Sequence, residues 1–453
     1  MIIRTIELKA LQNSYEIAGN RLELVYGSSR SQAREFVEEF CKGKDTLYYR
    51  ARNASADKQV EMLGKQIERR YGIHLSGYTY DECFKRLKSK DGSKLVIVID
   101  EFQLMAKRDE EFYKSIKKLK SGKLYPGSVM IILISTALPW LKKDMEDCLG
   151  RDIRRIDGII ELKDLSFLEV VRALPDYSVR EAVQTYGIVG GVPDYLDRWD
   201  SSKSVKENVC ALFLDRKGMF FDEAQKYISE ELRELSVYNT ILSAMAMGIE
   251  KLNDLFAHTG FSRAKISVYI KNLAMFDVVE KVVSFETGGW NNTKKGVYRI
   301  SDHFIDFWFR FLYPNLSELY TMEPGEFYDR YIEPGLDAYL RRYFIDVCKE
   351  YLELINRVGK VPLKIVKMGT WVGKDGTIDV VGEDKVRECV VGVTNWDEPK
   401  MSYDRYEQLL RDLKKAHISS KVFYLFSATA FDDRLRELAD KDSSVVLVDM
   451  TEL

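Results

Sequence analysis

Along the first two hundred residues, short apolar runs alternate with longer stretches in which apolar residues recur every three or four positions. The runs Leu22–Tyr26, Thr46–Tyr49, Leu95–Ile99, Val129–Ile134 and Ile159–Leu162 are mostly apolar, aromatic or β-branched. That is the pattern of strands covered on both faces. The amphipathic stretches between them predict βαβ units and a parallel sheet in a three-layer α/β domain over residues 1–200. From about 200 to 300 the pattern is helical. It closes on a short strand pair around a polar loop, "VVEKVVSFETGGWNNTKKGVYRI". An aromatic-rich helical region follows, in which Phe304, Phe307, Trp308 and Phe311 fall at i, i+3, i+4 and i+7, a buried stripe. The last ninety residues return to α/β: "TIDVV", "ECVVGV" and "VFYLF" read as strands, with helices around Tyr403–Lys415 and Asp432–Asp440. The division expected is 1–200, 201–320 and 321–453.

The stretch "VYGSSRSQAREF", Val25–Phe36, sits between a strand and a helix, where a phosphate-binding loop belongs. Such a loop reads GxxxxGK[ST]. Its glycines wrap backbone N–H groups around phosphate, its lysine pairs with the β and γ phosphates, and its hydroxyl holds Mg²⁺. Counting from Gly27, the second glycine falls on Gln32, the lysine on Ala33 and the hydroxyl on Arg34. What remains for an anion is the loop backbone at Gly27, Ser28 and Ser29, with Arg30 or Arg34 supplying charge. The other reading of Arg34 is a surface residue beside Glu35 and Glu38. The partner motif is present. "LVIVIDEF" ends a strand in Asp100, the candidate Mg²⁺ ligand, and Glu101, the candidate catalytic base. "IILISTAL" ends another in Ser135 and Thr136, where a side chain could read the γ phosphate or simply cap the strand.

Charge adds little. Lys plus Arg is 69 and Asp plus Glu is 71, for a net −2, so any basic surface is local. The six cysteines are far apart with no CxxC, which points to reduced thiols in the cytoplasm and against zinc. No apolar run approaches the roughly 20 residues of a membrane span, and the N-terminus has no signal core.

"KLNDLFAHTGFSRAKISVYIKNLAMFDVVEKV" has a helix-turn-helix layout. Gly260 makes the turn and Ser262 caps the second helix. Ile266, Ile270 and Leu273 face inward, while Arg263, Ser267 and Lys271 share the outer face. Asn291, Asn292, Lys294 and Lys295 lie on the presumed wing. A recognition helix with wing lysines on phosphate is one reading; protein docking is the other.

The order of these pieces resembles the prokaryotic archaeal ATPase family, an AAA+/STAND-like P-loop group. The matching segments are "RTIELKAL", "VYGSSRS", "VIVIDEFQLM", "CLGRDIRRIDGIIELKDLSF", "YGIVGGVPDYL", "YNTILSAMAMG" and "YRISDHFIDFWFRFLYP". The resemblance implies an AAA+-like P-loop core, a winged-helix region and a C-terminal domain like the PD-(D/E)xK nucleases. It would set Gly190, Gly191 and Pro193 against a nucleotide base, and Arg151 near phosphate or a subunit edge. A helix C-cap and tight turn is the alternative for the two glycines. In the nuclease-like domain it retains Asp379. It puts Thr377 and Ile345 where the family has acids, with Asp346 next door. The family's E-x-K falls on Gly392-Val393-Thr394, or, shifted, on Glu388-Cys389-Val390. One acid cannot hold the metal that such chemistry needs.

The expectation is a degenerate ATPase-family protein: a DNA- or protein-binding scaffold or weak nucleotide sensor, with an inactive nuclease-like domain and with ATP and Mg²⁺ binding weakened or absent. The rival is a slow DNA-stimulated ATPase that uses Asp100, Glu101 and an arginine in place of the lysine. A protein-only regulator is a third reading. Expected partners are double-stranded DNA, another copy of the chain or another protein, and no membrane.

Overall fold

The structure, a computed structural model, describes residues 4–149, 154–285 and 296–452. The chain forms two compact units, Met1–Asp164 with Val192–Tyr195, and Leu165–Gly191 with Leu196–Leu453. Residues 165–191, within the 1–200 division expected from sequence, therefore pack in the second unit.

All five strands read from apolar runs form the sheet of the first unit: β1 (Arg21–Gly27), β2 (Thr46–Arg50), β3 (Leu95–Asp100), β4 (Val129–Ser135) and β5 (Gly158–Leu162). They pair in parallel in the order β2-β3-β4-β1-β5. Alternation along the strands feeds two cores. Ile97, Ile99, Ile131 and Leu133 point to one face; Val96, Val98, Met130 and Ile132 join Phe36, Val37 and Phe40 on the other. This is a three-layer α/β core, with helices covering both faces of a parallel sheet. The pairing register sets the carboxyl ends level: Tyr26 opposite Ser135, Asp100 opposite Ile134, and Arg50 opposite Asp100. In open parallel sheets, that edge is where ligands bind.

In the second unit, helices Phe167–Ala173 and Val179–Val189 both start with a serine–glutamate capping box. Helices Leu235–Ala246, Leu252–Thr259 and Arg263–Met275 precede an antiparallel pair, β6 (Val279–Val282) and β7 (Val297–Ile300). Phe304, Phe307, Trp308 and Phe311 are buried as their spacing predicts. Phe309 is buried as well, because the helix widens to π-type turns over Trp308–Leu312 and moves off the 3.6-residue period. Phe213 packs edge-on against Phe307, with ring centres 5.3 Å apart.

A second sheet follows the long helix Glu333–Arg357. Its strands are β8 (Lys367–Val372), β9 (Thr377–Glu383), β10 (Cys389–Asn395), β12 (Ser420–Ser427) and β14 (Val445–Asp449), in the order β14-β12-β10-β9-β8. Two-residue strands β11 (Lys400–Met401) and β13 (Ala430–Phe431) form a separate bridge. The strands read from "TIDVV", "ECVVGV" and "VFYLF" are β9, β10 and β12. Among the described residues, no helix is long and apolar enough to cross a membrane.

Candidate functional site

The phosphate-loop position is a closed turn. Gly27 ends β1, and a Cβ there would lie 2.6 Å from Cβ of Ser31, which is folded over it. Ser31 N–H donates to the Ser28 carbonyl at 3.0 Å, and Arg4 reaches the Lys163 carbonyl at 2.8 Å and the Ser31 carbonyl at 3.4 Å. Gln32, at the place of the second glycine, takes the left-handed backbone, with φ 55° and ψ 39°. The backbone thus keeps a shape suited to glycine, at roughly 1–2 kcal/mol for a residue with a side chain. Ala33, at the lysine position, is buried. Arg30 turns inward. Its guanidinium lies over the Tyr195 ring and donates to the Tyr195 hydroxyl at 3.0 Å. Ser28 is half-buried and Ser29 exposed.

Arg34, at the hydroxyl position, reaches across to the end of β3. Its Nε donates to Asp100 Oδ2 at 3.0 Å, and Nε of Arg50 lies 3.7 Å from the same oxygen. Asp100 is 1% exposed and Arg34 33%. Burial works to lower the Arg34 pKa, but the Asp100 hydrogen bond and charge outweigh it and leave the guanidinium raised. Tyr48 flanks the pair; burial first, then the Asp100 charge, pushes its phenol up. The surface reading of Arg34, beside Glu35 and Glu38, does not hold.

Glu101 follows with φ 54°, again left-handed. Its Oε1 accepts from the Thr136 hydroxyl at 2.7 Å and its Oε2 from Gln103 Nε2 at 2.5 Å. Ser135 is fully buried, and its hydroxyl accepts from the Ala137 N–H at 3.2 Å. Thr136, rather than Ser135, meets the glutamate.

In the second unit, Gly190 closes the helix Val179–Val189 at φ 65° and ψ −159°, a region almost reserved for glycine. A Cβ on Gly191 would fall 1.8 Å from the Leu165 carbonyl oxygen, and the Leu165 N–H donates to the Gly191 carbonyl at 2.7 Å. Both glycines are thus required by backbone geometry, the alternative that the sequence left open. Pro193, which belongs to the first unit, opens the short helix Pro193–Leu196.

Three residues at positions singled out by the nuclease resemblance converge. Ile345, Asp379 and Thr394 line one small pocket of about 160 Å³, together with Arg341 and Arg405. Asp379 Oδ2 accepts from the Thr394 N–H at 2.8 Å and its hydroxyl at 3.0 Å, with Arg405 3.7 Å away. Burial pushes the Asp379 carboxyl up, while Arg405 and Thr394 draw it back. Glu388 pairs instead with Lys421 at 2.5 Å. Asp346 is held by Lys349 at 3.1 Å. Among the described residues, no cluster of three or more His, Cys, Asp or Glu could hold a metal.

On the helix Arg263–Met275, Arg263, Ser267 and Lys271 are exposed. Arg263 is tied back: its Nε donates to Asn253 Oδ1 at 2.7 Å, and its guanidinium sits 4.3 Å from the centre of the Phe256 ring. Val268 is exposed between them. Lys294, Lys295, Asn291, Asn292 and Arg151 lie outside the described residues.

Residues 308–409 match a protein family, DUF234, described as "Archaea bacterial proteins of unknown function". An uncharacterized protein of Methanocaldococcus jannaschii is 25% identical to this chain over 422 residues, 90% of each. Of solved structures, the Walker-type ATPase of Pyrococcus abyssi is similar over 68% of this chain and 96% of its own, at 16% identity and a TM-score of 0.48. The ORC2 protein of Aeropyrum pernix is similar over 68% and 92%, at 14% identity and a TM-score of 0.44.

Arg50, Tyr48, Thr136 and Tyr195 join the site although the sequence reading gave none of them these partners. For Arg50, Tyr48 and Thr136 the missing signal was strand adjacency. Once β2 is placed beside β3, Arg50 stands opposite Asp100.

Proposed function

We propose that this chain is an archaeal ATPase-like protein that has exchanged magnesium chemistry for a fixed ion pair and works as a binding scaffold. The observation that carries this reading is the Arg34–Asp100 pair at 3.0 Å. A magnesium ion at this corner needs a hydroxyl from the start of the helix and a carboxylate free to coordinate it. Position 34 supplies a guanidinium, which has donors and no acceptor, and places it on the carboxylate in question. The donor set does not fit Mg²⁺. The rival, a slow ATPase with an arginine in place of the lysine, loses support because Arg30 is engaged with Tyr195 and Arg34 with Asp100. In the second unit, Thr394 on Asp379 and Ile345 beside it support a nuclease-shaped domain without nuclease chemistry.

Thermal melts of the full chain with ATP, with and without Mg²⁺, test the metal half of the proposal. The same melting temperature is expected in both. A rise of several degrees that needs Mg²⁺ would overturn it, since binding to the native state alone stabilises it by mass action.

Three helices followed by the β6–β7 pair, with Arg263, Ser267 and Lys271 on the outer helix face, support a winged-helix reading and contact with DNA phosphate. The cations are few, so weak, salt-sensitive and poorly specific binding is expected. Gel shifts across salt should show the slope of log affinity against log salt becoming shallower by about 1–2 in R263E/K271E, since each phosphate contact adds about 0.9. An unchanged slope and affinity would reassign this face to protein docking.

A further inference from the structure

Past the ion pair, at the far edge of the first sheet, the end of β2 opens into a cavity of about 850 Å³. Two walls carry its charge. Arg50 and Arg52 flank the buried Ala51, whose N–H still pairs with the Asp100 carbonyl at 2.9 Å. Residues two apart on an extended chain leave on the same side. The facing wall is the helix Ala56–Tyr71, where Lys65 and Arg69, one turn apart, share a face. The one carboxylate in the lining, Glu101, already accepts from Thr136 and Gln103. Lys65 pairs with Glu61, and Arg50 lies 3.7 Å from Asp100. Among the described residues, Arg52 and Arg69 pair with no carboxylate. Four cations thus face a concavity the size of a small-molecule site, where low-dielectric walls concentrate the field.

We propose that this cavity binds a small ligand carrying two or more linked phosphates, either free polyphosphate or the polyphosphate tail of a nucleotide, with Arg50, Arg52, Lys65 and Arg69 as its counter-charge and no divalent metal. Guanidinium groups suit this class because their paired N–H donors match phosphate oxygens bidentately. Linked phosphates can engage both walls at once, whereas a single phosphate reaches one.

Calorimetric titration of the full chain in EDTA tests the proposal with tripolyphosphate, ATP, orthophosphate and a single-stranded oligonucleotide. Tripolyphosphate, ATP or both should bind at least ten times more tightly than orthophosphate. R52A/R69A should weaken that binding at least tenfold at an unchanged melting temperature, while R436A/K441A, on a surface helix of the other unit, should leave it intact. ATP binding without tripolyphosphate binding assigns the ligand to nucleotides; equal binding assigns it to free polyphosphate. Affinity retained in R52A/R69A, no binding of either ligand, or uptake of the oligonucleotide alone would overturn the proposal. Phosphate release is a separate readout, so this inference and the loss of magnesium chemistry can fail independently.

Discussion

Arg34→Ala is expected to destabilise the first unit by about 2–3 kcal/mol, because it removes the hydrogen-bonded partner of the buried Asp100 carboxylate. The figure is below the roughly 3–5 kcal/mol lost when one member of a fully buried pair is removed. Arg34 is one-third exposed, so water already screens part of the interaction, and Arg50 remains 3.7 Å from the same oxygen. Asp100→Asn should cost less in the R34A background than in the wild type. The two groups meet directly, and contacting residues couple by about 0.5–3 kcal/mol in a double-mutant cycle. Urea melts of the four proteins measure both quantities. Wild-type stability in R34A, with additive effects in the cycle, would mean that the pair contributes nothing to the fold.

Gly191→Ala is expected to cost about 4 kcal/mol or more, at the severe end for single substitutions. The added methyl would sit 1.8 Å from the Leu165 carbonyl oxygen, and that atom is backbone, already fixed by the return hydrogen bond between Leu165 and Gly191. Gly190→Ala meets only the His303 ring at ordinary contact, so its cost is the strain of φ 65° and ψ −159°, roughly 1–3 kcal/mol. Limited proteolysis and urea melts should therefore rank G191A below G190A, and both below wild type. The opposite outcome has a clear meaning. Variants that fold normally and lose only affinity for a nucleotide would return the glycine pair to a ligand-facing role.

The inner strands β1, β3 and β4 of the first sheet were legible because they are covered on both faces, so their apolar runs are nearly unbroken; the half-exposed edge strands β2 and β5 were legible from their aromatic and β-branched residues. Strand β8 escaped notice for the converse reason. It is an edge strand, half-exposed along its length, and Gly369 within it lies against Phe285, a contact with no local signature. Strand β14, at the opposite edge, buries only Val445 and Val448, and its last residue is a charged Asp449. The aromatic stripe was readable at four positions. Phe309 was not, because a π-type turn changes the period on which such reading depends.

The site was legible by position and illegible by partner. Counting from Gly27 put Arg34 at the hydroxyl position, and the apolar run put Asp100 at a strand end. Which side chain the arginine meets depends on the sheet order, with β4 set between β1 and β3, and no spacing in the chain encodes that order. The same limit hid Thr136 on Glu101. Conversely, the placements of Ile345, Asp379 and Thr394 came from a family resemblance, and the fold brings these three into one pocket.

Phosphate release from ATP and Mg²⁺ by the purified full chain tests the central claim most directly. A guanidinium fixed on Asp100 predicts release at the background rate, unchanged by Glu101→Gln and by added DNA. Turnover that is Mg²⁺-dependent and disappears in Asp100→Asn or Glu101→Gln would contradict it.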